Sequence, residues 1–291
     1  MIDLHVHTTA SDGQYSPSQI IKKAADKKIK VIAITDHDTT AGLEEAVQAG
    51  KNHGVQVVRC IELNISFPSG EFHLLGLGLN QVSASLAAIV EEVIKNRNER
   101  NEQMIKKIND DGVQITLEQL KTDYPNTIIG RPHFAAELVK LGIVKNRQQA
   151  FDQYLAKGRK WYCPRVCTNL DEAIIAIKDS GGIPVIAHPM SLYLSWGRLP
   201  DMLKDCYEKG VIGIEAFHPG ARVTECLRLE ELGRKIGFIV TAGSDFHGEK
   251  IRSDRRLGHT CGNKKIDDKY YYDELLPAIC VSQGLVSDNS R

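Results

Sequence analysis

Short apolar runs alternate with amphipathic stretches along the first 80 residues of the chain. The apolar runs lie at residues 2–7, 31–36, 55–62 and 72–79, and each has the length of a buried strand. Between them, residues 17–27 and 43–52 carry apolar side chains at helical spacing, and Ser16-Pro17 is typical of a helix start. Strand–helix–strand alternation predicts parallel strands that are joined by crossover helices.

The pattern changes between residues 81 and 160, where every amphipathic stretch has helical spacing. Residues 83–110 have an apolar stripe at helical spacing, which the polar segment 95–103 interrupts. Arg97 and Arg100 lie in that segment, where a solvated helix face is expected. Residues 116–120, 131–141 and 147–156 also predict helices.

Strand–helix alternation resumes after this region. Strands are predicted at residues 183–187, 211–217 and 238–242, and helices at residues 170–180, 199–209 and 225–236. The sequence therefore predicts an α/β fold with seven strands. Residues 1–80 and 161–291 would form a barrel domain, and residues 81–160 would form an all-helical insert. The segment from Asp267 onward indicates no chemistry.

Composition and net charge limit the kinds of molecule that the protein is expected to bind. The 291 residues have a formal net charge of +0, so the chain lacks the broad basic surface that long nucleic acids require, although a local basic site for a small anion remains possible. We expect no signal peptide and no membrane span. The 7 cysteines are scattered, which is typical of a cytoplasmic protein. Cys163 and Cys167 have no second pair with which to form a zinc site, so they are expected to be structural.

Acidic and histidine residues accompany the apolar runs at five places. His5 and His7 point to the same side of a strand, because residues i and i+2 share a face. The carboxyl ends of the strands in a parallel barrel meet on one face. Taken singly, Glu62 and His73 are better explained as ordinary buried residues, but five such clusters are hard to reach by chance. We expect nine side chains to converge as metal ligands: His5, His7, Asp12, His37, Glu62, His73, His188, Asp245 and His247.

Nine donors exceed the needs of a single ion, because zinc usually takes about four ligands and magnesium about six. The sequence predicts two or three clustered divalent ions, and imidazole and carboxylate donors without thiolate favour zinc, manganese or iron. Such a cluster generates a hydroxide nucleophile near neutral pH and stabilises an in-line displacement at phosphorus. The residues expected to carry catalysis are His5, His7, Asp12, His37, Asp245 and His247. Asp36 and Asp38 are candidates for orienting His37, and Asp38 is equally compatible with a turn cap.

Four motifs resemble those of the polymerase and histidinol phosphatase (PHP) family and occur in the same order. They are His5-x-His7-Thr8-x-x-Ser11-Asp12-Gly13, Thr35-Asp36-His37-Asp38, His188-Pro189 and Ser244-Asp245-Phe246-His247. The resemblance implies a distorted seven-stranded α/β barrel with a trinuclear metal site, and it assigns the ligand role to the nine side chains above. The insert and the stretch Gly130-Arg131-Pro132-His133-Phe134-Ala135 are similar to one subgroup. Its members remove the 3′-phosphate of nucleoside 3′,5′-bisphosphates and trim the 5′ ends of short RNA.

Four further residues are candidates for substrate binding. Arg131 and His133 open a predicted helix, whose N-terminus with an arginine can hold a phosphate. The alternative is a surface arginine beside a core histidine. His218 ends the sixth strand, and a role in binding and no role are equally supported. His259 lies in a segment that resembles the subgroup, and the alternative is an ordinary strand residue.

Several functions are compatible with a metal cluster of this kind. The first is a phosphoesterase that removes the 3′-phosphate of nucleoside bisphosphates, or trims short RNA 5′ ends, by attack of a metal-bound hydroxide. The second is a phosphatase for a small metabolite such as histidinol phosphate. The third is a non-catalytic or proofreading module, against which the complete ligand set and the absence of a polymerase region argue. An amidohydrolase is also compatible with the metals, but the phosphate role of Arg131 disfavours it.

Overall fold

The computed structural model describes residues 1–125, 129–164 and 166–285. They divide into two compact units. One unit comprises residues 1–89 and the described residues from 168 onward, and the other comprises the described residues between 90 and 167.

Seven strands form one sheet in the first unit, and their order in the sheet follows their order in the chain. Every residue of the first two strands is buried, which explains why they read as continuous apolar runs in the sequence. The predicted α/β barrel class is confirmed. The strands are β1 Ile2–Val6, β2 Val31–Ile34, β3 Gln56–Ile65, β4 Phe72–Leu77, β5 Ile183–Ile186, β6 Gly213–Phe217 and β7 Ile239–Ala242; β8 His259–Thr260 and β9 Lys264–Lys265 form a separate short pair.

Helices connect most of these strands, and local capping sets several of their ends. The Ser16 side chain accepts a hydrogen bond from the Gln19 N–H, and the Gln19 side chain accepts one from the Ser16 N–H. Gly54 ends the second helix with a φ of 68°, a left-handed conformation that favours glycine. The helices are α1 Pro17–Asp26, α2 Leu43–His53, α3 Ala84–Asp110, α4 Leu117–Asp123, α5 Arg131–Lys140, α6 Arg147–Ala150, α7 Leu170–Asp179, α8 Leu199–Glu208, α9 Val223–Ile236 and α10 Leu276–Ser282.

The prediction that all strands run parallel is wrong at β4. This strand is antiparallel to both β3 and β5. The reason lies in the connection: residues 66–71 between β3 and β4 are too few for a crossover helix, and only an antiparallel partner can follow such a short link. The reversal brings the beginning of β4, rather than its end, to the carboxyl ends of the parallel strands. His73 is the second residue of β4, so it still lies at that edge.

The sheet closes where the segment after β7 meets β1. The Asp245 N–H donates to the His5 carbonyl at 2.9 Å, and the His7 N–H donates to the Phe246 carbonyl at 3.0 Å. Asp3 extends this seam with side-chain bonds: its carboxylate accepts from the Ser244 N–H, the Ser244 hydroxyl and the Gly258 N–H. The first and last strands of the barrel are therefore joined beside the predicted ligands.

The second unit has its own apolar core, which includes Met104, Phe134, Leu138 and Trp161. The helical pattern of residues 83–110 corresponds to α3, which continues through the polar segment. The expectation that Arg97 and Arg100 lie on a solvated face is wrong, since their exposed fractions are 9% and 4%. These polar residues interrupt the apolar stripe because they are buried in a polar network. In it, Arg100 donates to Asn101, and Asn101 donates to the Ile129 carbonyl.

Three further features concern membrane spans, cysteines and the C-terminal segment. No described helix is long and apolar enough to cross a membrane. The seven cysteines carry free thiols; Cys163 is buried and Cys167 is half-buried. The sequence indicated no chemistry for the segment after Asp267, whose described residues form a helical turn at Tyr270–Leu275 followed by α10; residues 286–291 lie outside the described residues.

Candidate metal centre

Nine acidic and histidine side chains come together at one edge of the sheet, and they are the nine predicted ligands. They form four overlapping groups, in each of which one potential ligand atom per residue lies within 4.8 Å of the others. Because the groups share members, they make one continuous cluster. The groups are His7, Asp12, His37 and His247; His5, His7 and Asp245; His5, Glu62 and His188; and His37, Glu62 and His73.

Glu62 lies at the centre of this cluster. Its Oε1 is 2.9 Å from His73 Nδ1 and 3.1 Å from His188 Nε2, and its Oε2 is 2.8 Å from His37 Nδ1 and 3.3 Å from His7 Nε2. Burial alone would raise the pKa of Glu62, but the surrounding histidines outweigh burial and hold the pKa well below its usual range. The side chain is therefore an ionised carboxylate whose two oxygens face different groups of imidazoles, which suits a bridge between two cations.

Asp12 and Asp245 provide the other carboxylates of the cluster. His247 stacks on His7 with ring centroids 4.0 Å apart, and its Nε2 is 3.3 Å from Asp12 Oδ1. Asp245 Oδ1 is 3.4 Å from His7 Nε2. Burial opposes ionisation of both aspartates, but the charge of His247 leads the contributions that hold each pKa well below its usual range. Three ionised carboxylates thus lie among six imidazoles.

The donor atoms fit divalent cations. His7 Nδ1, His37 Nδ1 and Glu62 Oε2 are buried and have no hydrogen-bond partner among the described residues. His37 Nδ1 and Glu62 Oε2 are 2.8 Å apart but lack hydrogen-bond geometry. Buried polar atoms that face one another without sharing protons need another partner, and a metal ion would supply it for imidazole and carboxylate groups. The absence of cysteine from the four groups suits zinc, manganese or iron.

Hydrogen bonds on the far side of three imidazoles fix which nitrogen is free to bind a metal. His188 Nδ1 is 3.0 Å from the Ser191 hydroxyl, which donates to the Glu71 carbonyl and can therefore only accept from the histidine. His247 Nδ1 donates to the Asp245 carbonyl at 2.9 Å. In both rings the proton lies on Nδ1, so Nε2 presents a lone pair to the cluster.

Glu215 fixes the third imidazole, and the sequence reasoning missed it. Its Oε1 accepts from His5 Nδ1 at 3.0 Å, and its Oε2 accepts from the His188 N–H at 2.8 Å. Burial raises the pKa of Glu215, but the charge of His5 and the hydrogen bond to it lower the pKa overall. A signal was present in the sequence: Glu215 interrupts the apolar run Gly213–Phe217, and a charged residue in a fully buried strand needs a partner.

Two of the candidate ligands lie on backbone that L-residues rarely adopt. His188 has a φ of 26° and Asp245 a φ of 51°. Such conformations cost about 1–3 kcal/mol each and persist only where the surrounding structure imposes them. Here the strand ends and the hydrogen bonds to Glu215 and His5 hold both residues, so the strain aims their side chains at the cluster.

Asp36 and Asp38 support the loops around the cluster. Asp36 accepts from the Thr8 N–H, the Thr8 hydroxyl and the Ser11 hydroxyl, at 2.8, 2.7 and 2.6 Å. It therefore fastens the loop that carries Asp12. Asp38 accepts from the N–H and the side-chain amide of Asn64. These bonds show loop support, whereas an orienting role toward His37 remains a prediction.

The two substrate candidates of the first unit lie in different settings. His218 is at the edge of the cluster, where its Nε2 is 3.2 Å from Asp245 Oδ2 and its Nδ1 accepts from the Gly220 N–H. His259 is buried in β8, and its Nδ1 donates to the Leu257 carbonyl. A role in substrate binding is still a prediction for both.

Arg131 and His133 open α5 in the second unit. His133 Nδ1 accepts from the Gly130 N–H at 2.9 Å, so this side chain caps the helix, and its ring packs against Tyr124. The Arg131 guanidinium lies 5.8 Å from the centre of the Tyr162 ring. Because His133 is engaged in the cap, Arg131 is the better candidate of the two for binding a phosphate, and this role is still a prediction.

We expect the purified protein to contain more than one divalent metal ion per chain. The four overlapping ligand groups contain three carboxylates, and their negative charges would repel one another strongly if a single divalent ion were bound. Elemental analysis of the dialysed protein measures the ratio. A chelator should remove the ions, and added manganese, zinc or iron should restore the ratio. One equivalent or less in the fully active protein would contradict a multinuclear centre.

Comparison with known proteins agrees with this geometry. The profile of the PHP domain family matches residues 3–167. A 3′,5′-nucleoside bisphosphate phosphatase from Chromobacterium violaceum is 31% identical over 261 residues, which cover 89% of this chain and 91% of that protein. A phosphoribosyl 1,2-cyclic phosphate 1,2-diphosphodiesterase from Eggerthella lenta is 32% identical, with 85% and 94% covered. A 5′-3′ exoribonuclease from Haemophilus influenzae is 29% identical, with 84% and 89% covered.

A solved structure shows the same fold. A protein from Bifidobacterium adolescentis that is described as a metal-dependent phosphoesterase superposes with a TM-score of 0.83, at 28% identity and with 95% of each chain covered. The likeness extends over nearly the whole chain.

Proposed function

Because the chain belongs to the PHP domain family and is a metal-dependent phosphoesterase, we propose that it removes the 3′-phosphate from nucleoside 3′,5′-bisphosphates. The observation that carries the proposal is the 31% identity to a phosphatase of that name over about nine-tenths of both chains. The buried histidine–carboxylate cluster supports the hydrolytic chemistry.

The nine clustered side chains would hold two or three manganese, iron or zinc ions. When bound, these ions polarise a phosphoryl oxygen and lower the pKa of water, so that it attacks phosphorus near neutral pH. The protein's own part is to place donors rigidly. Glu215, Ser191 and the Asp245 carbonyl keep protons off the Nε2 atoms that face the ions. Because these groups are set before substrate arrives, little reorganisation is needed during the reaction.

Arg131 is proposed to bind the second phosphate of the substrate. A guanidinium suits a phosphate dianion, because its paired N–H donors match the spacing of phosphate oxygens. The binding energy of a remote phosphate can orient the reacting one and so raise the rate of hydrolysis. The neutral chain favours a small anion over a long polymer, although a short 5′-phosphorylated RNA carries the same groups.

The test compares adenosine 3′,5′-bisphosphate with 3′-AMP, which lacks the second phosphate. We expect a kcat/KM at least about 10-fold higher for the bisphosphate, since a charge-assisted contact to phosphate contributes this much. In Arg131→Ala the preference should shrink while metal content stays normal. Arg159→Ala, an exposed arginine in the same unit, is the matched control and should keep the preference.

The same panel separates the competing substrates. It includes phosphoribosyl 1,2-cyclic phosphate, histidinol phosphate and a short 5′-phosphorylated RNA. Equal efficiency for the bisphosphate and 3′-AMP, or a clear preference for one of the other three, would refute the bisphosphate assignment. The assignment as a metal-dependent phosphoesterase would be unaffected.

A further inference from the structure

The two carboxylate oxygens of Asp245 face different surroundings. Oδ1 faces the ligand cluster, with His5, His7 and His247 at 3.7, 3.4 and 3.4 Å. Oδ2 faces away from these rings, toward three basic side chains. They are His218 at 3.2 Å, Arg252 at 2.5 Å and Arg255 at 3.8 Å. One carboxylate thus separates the metal cluster from a basic group of residues.

A short loop after β7 carries both arginines. The Arg252 N–H donates to the Gly248 carbonyl, and the Arg255 N–H donates to the Arg252 carbonyl, so the loop is a compact turn. Gln14 anchors its beginning by accepting from the Lys250 N–H. Gly248 has a φ of 108° and packs so closely on Gln14 that a Cβ would lie 2.3 Å from the Gln14 Cβ. The arginines are therefore held against the cluster by the backbone.

The side chain of Arg255 is largely buried and lacks full hydrogen bonding. Its side chain is 9% exposed, and its Nε has no hydrogen-bond partner among the described residues. Its Nη1 donates to Asp254 at 2.7 Å, and Asp254 is an exposed residue outside the cluster. A buried guanidinium N–H without an acceptor is costly, and a charge-bearing one more so. This cost is recovered when an anion supplies the acceptor.

The balance of charge around Asp245 Oδ2 favours the binding of such an anion. Arg252 has a single ion-pair partner in the described structure, which is Asp245. Asp245 is also a candidate ligand of the metals, so cations at its Oδ1 compete for the same negative charge. With cations on one side and guanidinium groups on the other, positive charge exceeds negative charge around Oδ2. Guanidinium groups bind phosphate oxygens through paired N–H donors, which lysine cannot match.

We propose that Arg252 and Arg255 form an anion site beside the metal cluster, which binds the phosphoryl group that is hydrolysed and then the inorganic phosphate product. Both arginines reach an oxygen of a residue that also faces the cluster, so they are placed to contact the reacting group rather than a remote one. Charge that develops on its oxygens would be stabilised there. The inference deepens the proposed function, but it rests only on phosphate-ester hydrolysis at this cluster.

The test uses the metal-loaded protein and the variants Arg252→Ala and Arg255→Ala. We measure kcat/KM for adenosine 3′,5′-bisphosphate and for p-nitrophenyl phosphate, and the inhibition constant of inorganic phosphate. In each variant, kcat/KM should fall about 10- to 100-fold for both substrates, and the inhibition constant should rise about 10-fold. Metal content should be unchanged. Arg256→Ala, an exposed arginine of the same loop, should behave as the wild-type protein.

Three outcomes would overturn the inference. An unchanged inhibition constant for phosphate in both variants would exclude an anion site. A loss confined to the bisphosphate would place the arginines at the remote phosphate. Loss of metal would show that they only position Asp245.

If an alanine variant does not fold, Arg252→Lys and Arg255→Lys keep the charge but not the paired donors, and weaker phosphate inhibition is still expected. If the bisphosphate is a poor substrate but phosphate inhibition weakens, the inference stands and the proposed function fails.

Discussion

Glu62→Gln is expected to reduce phosphatase activity by at least about 100-fold, because Glu62 is the carboxylate that most of the cluster shares. Its two oxygens lie within 3.4 Å of five imidazole nitrogens and belong to two of the four ligand groups. Glutamine has nearly the same shape but is neutral, and its NH2 group would face positions that need a lone pair. Turnover and metal content, measured on the same preparation, should fall together.

The matched control is Glu44→Gln, which removes an exposed carboxylate that pairs with Arg59. It should leave turnover and metal content unchanged, since exposed ion pairs contribute little. Circular dichroism of Glu62→Gln distinguishes loss of the metal site from loss of the fold. A folded Glu62→Gln variant with normal metal content and normal turnover would show that the cluster does not use this residue as a ligand.

Glu215→Gln is expected to weaken metal binding about 10- to 100-fold, the usual cost of losing a partner behind a metal-binding histidine. Glu215 accepts from two donors, His5 Nδ1 and the His188 N–H, and glutamine has only one accepting oxygen. If that oxygen keeps the backbone N–H, the amide NH2 faces His5 Nδ1 and drives the proton to Nε2. The nitrogen that faces the cluster is then blocked.

Nuclear magnetic resonance of ¹⁵N-histidine-labelled, metal-free protein reads this tautomer directly at a pH that is high enough to leave His5 neutral, because the carboxylates around His5 outweigh the effect of burial and raise its pKa. We expect the His5 signals to change from Nδ1–H in the wild-type protein to Nε2–H in the variant. Glu231→Gln on α9, which loses an exposed pair with Lys235, is the control. An unchanged tautomer together with unchanged metal affinity would mean that Glu215 supports the strand but does not control His5.

The barrel and the ligand positions could be predicted from hydrophobic periodicity and from acidic and histidine residues at strand ends. Both of these signals lie in the local sequence. The spacing of His5 and His7 fixes a shared face, and Asp245 and His247 follow an apolar run that can only be a strand. The direction of β4 was not predicted correctly, because the alternation on either side of residues 66–71 obscured how short that link is. Glu215 was missed because its partners are 27 and 210 residues away in the sequence.

The burial of two arginines in the second unit could not be predicted either, because it depends on the folded structure and not on the local sequence pattern. A polar segment inside a helical pattern normally faces solvent, but Arg97 and Arg100 are buried, and Arg100 donates to Asn101, which in turn donates to the Ile129 carbonyl. The basic loop that carries Arg252 and Arg255 has no periodic signal. Its proximity to Asp245 is visible only in the folded barrel.

The seam between β1 and the segment after β7 has a consequence for how the protein folds. Ser244 and Asp3 are 241 positions apart, so the contact that closes the barrel joins nearly opposite ends of the chain. Contacts of such high sequence separation form late, after the loop-closure entropy has been overcome. The cluster is complete only after closure, because His5 and Asp245 lie on opposite sides of the seam. Metal ions that bound residues on both sides would favour the closed state and slow its reopening, so they would stabilise the barrel as well as take part in catalysis.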